Sequence, residues 1–212
     1  MRARDQLIGA VLLVAVTGFG LYRIAQAKNE TTVGGDAFRL DESWPAEMAA
    51  FQGVRARIVE MGDPALAERL EALRRDGEIW VAPKLGAGRW AAFVDTLHLV
   101  RRIYVRRVAL IDPLAHLYGR PRPDIPLTYQ RAHAWITLAG ALRHELAHRD
   151  GAIEEPLAYQ TEITWYEDLR RSPFLESLQG EDRQAWEWGI ESAILSARKA
   201  LEKEMQREQG AP

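Results

Sequence analysis

The residues best able to do chemistry lie within LRHELAHRDGAIEEPLAYQTE, from Leu142 to Glu162. His144 and His148 stand four positions apart, with Glu145 directly after the first. The surrounding periodicity predicts a helix from about Thr128 to Arg149. On a helix that spacing puts both imidazoles on one face, about 5–6 Å apart at Cβ, as two nitrogens converging on one ion require. Glu145 lies about 100° further round, where its carboxylate reaches a water beside the ion without being a ligand. A catalytic zinc takes a third protein ligand and keeps a fourth position open. Glu154 and Glu155, just past a turn at Asp150-Gly151, are the candidates. Glu155 is preferred, because Pro156 suits the first position of a further helix. A helix doubling back there brings Glu155 beside His148. Two plainer readings stay open. One is a salt-bridged surface helix with His148 capping its last carbonyls. The other is a metal site without turnover.

H-E-x-x-H on a helix is the zincin signature. HELAHRDGAIE, compared with metzincins, would place Glu154 where that group has His or Asp. EEPLAY resembles the E-x-x-A-D helix of gluzincins and selects Glu155. Over residues 142–162 the chain therefore resembles gluzincin-type zinc metallopeptidases. The resemblance implies Zn²⁺ held by His144, His148 and Glu155. It implies Glu145 as the base, and peptide or protein substrates hydrolysed through a water activated by the metal. The chain departs from that group at Tyr159, which stands where gluzincins carry an acidic residue that orients the first histidine. The Tyr159 hydroxyl is expected either to accept the imidazole N–H or to stabilise an oxyanion. Glu162, seven positions after Glu155, is a candidate for the missing carboxylate behind His144. The step from His148 to Glu155 is also shorter than is usual there.

The elements that must position these residues point to an α+β, zincin-like fold, mostly helical, with a small sheet before the active-site helix. Helices are expected over 43–62 and 63–76, where Phe51, Val54 and Ile58, then Leu66, Leu70 and Leu73, recur at helical spacing. Glu78–Leu85 reads as a strand. Two or three short strands are expected over Trp90–Ile111, with a bulge near Arg106-Arg107. DPLAHLYGRPRPDIP is expected to be irregular throughout, because of Asp112, Gly119 and its prolines. Helices follow over about 156–171 and 181–207, the last with a stripe of Trp186, Ile190, Ile194 and Ala197. An edge strand within 78–111 is expected to present the substrate backbone.

With 212 residues, 47% hydrophobic and 27% charged, the chain can bury a real core. A net charge of -2 supplies no basic surplus for nucleic acid, so no such partner is expected. The absence of cysteine excludes disulfides and Cys-ligated metals, leaving His and carboxylate as ligands. At the N-terminus, basic MRARDQ precedes the apolar run Leu7–Tyr22, and Ala25 and Ala27 offer a cleavage pattern. Residues 1–27 are thus expected to be a membrane anchor or signal peptide, 28–42 a linker and 43–212 the metallohydrolase domain. That places the domain outside the cytoplasm, tethered or released to a periplasm. His98, His116 and His133 are expected to be structural or exposed. His133 lies roughly 16 Å along the helix from His144, too far for the same ion. A different class of function fits the same chain: a non-catalytic, membrane-anchored binding protein that retains the fold.

Overall fold

Phe51, Val54 and Ile58 fall on one buried face of helix α1 (Pro45–Glu60), and Leu66, Leu70 and Leu73 on that of α2 (Pro64–Arg75). Both helices start with proline, and the Asp63 carboxylate caps α2 by accepting from the Leu66 N–H at 2.9 Å. The computed structural model describes residues 33–86, 89–96 and 100–210. Its first strands, β1 (Val33–Gly34) and β2 (Phe38–Arg39), lie in the stretch expected to be a linker. β1 pairs with β4 (Lys84–Leu85), and β2 pairs antiparallel with β3 (Ile79–Ala82).

β3 runs parallel to β6 (Val100–Arg106), and β6 pairs antiparallel with β5 (Ala91–Thr96). The sheet order is β2-β3-β6-β5, so among the described residues β5 is an edge strand. Ile79, Val81, Ile103 and Val105 alternate into the core, as period-two burial requires.

Two expectations for the next stretch are corrected. No bulge carries the sheet past Arg106, and residues Arg107–Ile111 form helix α3 instead. Ala109 and Leu110 are buried there, and Arg107 Nε donates to the buried Glu47 carboxylate at 2.6 Å. Apolar residues that fit a strand alternation thus serve one helical turn. The following segment is also not irregular throughout, because Pro113–Tyr118 forms helix α4. Asp112 caps it through the Ala115 N–H, Pro113 opens it and Gly119 ends it. These residues mark the boundaries of a helix rather than its absence.

The long helix α5 (Leu127–Arg149) is the centre of the molecule, with α6 (Glu155–Arg170), α8 (Gly180–Gly210) and β5 packed around it. Short α7 (Pro173–Ser177) links α6 to α8. Ile136, Leu138, Leu142 and Leu146 of α5 join Ile163, Tyr166 and Leu169 of α6 and Ile190 and Ile194 of α8 in the core. At the far end of α5, Arg149 donates to both oxygens of Glu78, at 2.8 and 3.0 Å, and ties the helix to the start of β3. The result is a mostly helical α+β architecture with one four-stranded sheet.

The expectation of a single-pass membrane anchor is corrected for the described residues. Among the described residues, no helix is long and apolar enough to cross a membrane. α5 has the length, but Arg131, Arg143, Glu145 and Arg149 interrupt it, and α8 is more highly charged still. The N-terminal stretch 1–27 that raised the expectation lies outside the described residues, as does His98.

Candidate metal centre

His144, Glu145 and His148 project from the last turns of α5, and Glu155 opens α6. The reversal between the helices takes residues 150–154, and Gly151 makes it possible. Its φ of 116° is one that L side chains rarely adopt. Three ligand atoms meet as a result. His144 Nε2 lies 3.1 Å from His148 Nε2 and 3.2 Å from Glu155 Oε2, and His148 Nε2 lies 3.6 Å from the same oxygen. For bonds of about 2.0–2.1 Å, a tetrahedral ion needs ligand–ligand edges of about 3.3–3.4 Å. The observed triangle is of that size. Glu154, the rival carboxylate, is exposed and outside the cluster.

The outer nitrogens decide what the inner ones offer. His148 Nδ1 lies 2.6 Å from the carbonyl oxygen of Ala152, which can only accept, so Nδ1 carries the hydrogen. His144 Nδ1 lies 3.2 Å from Glu162 Oε2 and likewise donates. In their neutral forms both rings then turn an Nε2 lone pair inward, toward each other and toward the Glu155 carboxylate. A proton on His144 relieves one of these contacts, whereas a divalent cation among the three atoms satisfies all of them. The donor set of two imidazoles and a carboxylate suits zinc, and other divalent ions accept it too.

Charge follows the same arrangement. Burial disfavours the charged His144, but bonds to Glu155 and Glu162 and the nearby Glu145 outweigh it and raise its pKa to about 9. His148 is raised too, burial being outweighed by Glu155 and the Ala152 carbonyl. The hydrogen bond from His144 and the neighbouring His148 imidazole hold Glu155 far below the carboxylate range. Glu145, by contrast, is raised by burial, against the pull of His144 and a bond from the Phe93 N–H.

That bond, 2.6 Å from Phe93 N to Glu145 Oε2, joins α5 to the edge strand. It shows that the Phe93 N–H points away from β6. Alternation then sends the backbone groups of Ala91 to the same side. Two cavities flank the cluster along this edge. One, of about 200 Å³, is walled by Trp90, Ala91, Thr137, Ala141 and Tyr159. The other, of about 540 Å³, is walled by Phe93, Asp95, Arg101, Gly151, Ala152 and Ile153. Arg89, Glu145 and Glu155 line both.

Tyr159 packs edge-on against the His144 ring, with centroids 4.5 Å apart, and its pKa is pushed up to about 12 by burial and by Glu155 and Glu162. Behind Glu162, the buried Tyr166 hydroxyl donates to Glu162 Oε1 at 2.7 Å. His133 stands apart from the cluster, its Nδ1 2.8 Å from the Tyr118 hydroxyl and its ring edge-on to Trp188. His116 packs edge-on to Trp90.

Four participants escaped the sequence reading: Phe93, Arg89, Ala152 and Tyr166. A backbone N–H and a backbone carbonyl leave no trace in residue type. Tyr166 carries a faint one, four positions after Glu162 on the same helix face.

Compared with known proteins, the chain matches no protein-family model, no curated protein and no solved structure.

Proposed function

We propose that the chain is a zinc-dependent metallopeptidase of zincin-like fold and gluzincin type. The observation that carries this reading is the triangle of His144 Nε2, His148 Nε2 and Glu155 Oε2, with both histidines anchored from behind and a buried carboxylate beside it. His144, His148 and Glu155 would hold Zn²⁺, which supplies polarisation of the scissile carbonyl and acidification of water toward neutrality.

The chain's own residues do the rest. Glu145 takes a proton from the attacking water and passes it to the leaving amine, a role suited by the upward shift that burial gives its carboxyl. Tyr159, protonated across the working range, is the candidate donor to the developing oxyanion. Glu162 fixes the His144 ring. β5, the edge strand of the described sheet beside Glu145, would pair with an extended peptide whose carbonyl takes the Phe93 N–H from Glu145. Cavities on both sides of the cluster suit a chain that passes across it, with side chains entering each.

The test is Glu145→Gln. Glutamine keeps an acceptor for the Phe93 N–H and leaves the three ligands in place. Zinc content should be unchanged, while hydrolysis of a broad peptide library should fall by about 10²–10⁴-fold. Equal activity in both forms would refute the assignment. No activity in either, with zinc retained, would leave a metal-binding protein rather than a peptidase.

A further inference from the structure

We infer that Tyr166 is a positioning residue of the metal centre, acting through Glu162 on His144. This inference rests on the reading of that centre as a zinc site. Glu162 is buried, and its two oxygens have different partners. Oε2 receives His144 Nδ1 at 3.2 Å, and Oε1 receives the Tyr166 hydroxyl at 2.7 Å. A carboxylate rotates softly about its last torsion. Held at one oxygen only, it would not fix the imidazole plane. Held at both, it aims the His144 Nε2 at His148 and Glu155.

A second observation on a different helix points to the same hydroxyl. A Cβ built on Gly140 would fall 1.9 Å from the Tyr166 oxygen. Glycine in the interior of a helix is unfavourable, so one in the middle of α5 calls for a packing reason. The reason here is room for the Tyr166 hydroxyl. The ring of Tyr166 alone would be ordinary core filling. Its hydroxyl, wholly buried, is placed where a helix gives up its side chain to admit it, and its bond ends one step from a ligand. The relay thus runs from Tyr166 on α6 to Glu162 on α6 and on to His144 on α5.

The test is a double-mutant cycle read by zinc affinity of the full chain, in competition with a chromophoric chelator. Tyr166→Phe removes the hydroxyl and keeps the ring. Glu162→Leu removes the carboxylate, so that no group links Tyr166 to His144. Tyr166→Phe should weaken zinc binding about 10–100-fold in the natural background, the range for loss of a group behind a ligand. In the Glu162→Leu background it should change affinity by less than about twofold, because the path is already cut. An unchanged affinity in Tyr166→Phe overturns the inference. So does an equal loss in both backgrounds, which is what general loosening of the core gives. Collapse of the fold in Tyr166→Phe overturns it as well, since the hydroxyl is then structural. A natural chain that binds no zinc removes the reading underneath, an outcome distinct from zinc bound equally by both.

Discussion

Zinc uptake by the metal-free chain should strengthen about tenfold for each pH unit between 7 and 9. The ion needs the His144 Nε2 lone pair, and that ring holds its proton until about pH 9. At pH 7 only about one molecule in a hundred has it neutral, so the apparent Kd should be about 100-fold weaker than its limit above pH 9. His148 is shifted in the same direction. An ordinary histidine, at about 6.5, would leave the affinity almost flat above pH 7. The window from 7 to 9 therefore discriminates. Stability of the metal-free fold runs the other way. A folded pKa above the unfolded one stabilises below pH 6.5, and that gain is lost as pH rises toward 9. The amount is on the order of 3 kcal/mol. Chelator competition at pH 6, 7, 8 and 9, corrected for the chelator's own protonation, reads the first effect. Calorimetric melting of the metal-free chain reads the second. The rise in melting temperature on adding zinc should be larger at pH 9 than at pH 7. Constant affinity between pH 7 and 9 would refute the arrangement of Glu155 and Glu162 about His144 on which the argument depends.

Gly140→Ala should lower stability by about 1–3 kcal/mol in thermal melts despite the better helix propensity of alanine, because the added methyl group meets the Tyr166 hydroxyl. An unchanged or raised melting temperature would mean that Tyr166 can move aside freely. His133 titrates at about 4, pushed down by burial, against 6.5 unfolded. It stabilises above pH 6.5, and that contribution is lost as pH falls from 6.5 to 4. His133→Asn, which can still accept from Tyr118, should flatten the acid limb of the stability profile. An identical limb would place the acid-sensitive group elsewhere.

Much of this arrangement is legible in the residues because it depends on helical spacing. His144 and His148 share a face through a four-residue step, and Gly151 with Pro156 announces a turn and a new helix. The size of the triangle is not legible, since it depends on how closely α6 folds back on α5. The sheet is less readable. β1 and β2 are two residues long, and Phe38 and Arg39 carry no alternation by themselves. Their pairing is decided by the partner strand. Arg107–Ile111 misleads for a related reason, because five residues fit a period of two almost as well as one helical turn. The Phe93 N–H reaches Glu145 from 52 positions away, a distance over which local pattern says nothing.

The bond between Phe93 and Glu145 also bears on association. A strand with one open side is a template for unwanted pairing, and proteins commonly blunt such edges with charge. Here the guard is the buried carboxylate itself, seated on the Phe93 N–H at the middle of β5. A neighbouring chain that zips onto this edge at random meets an occupied donor. One that supplies its own carbonyl to Phe93 displaces Glu145 and sets its carboxylate free. Cover of the edge and exposure of the Glu145 carboxylate are thus alternatives at a single hydrogen bond.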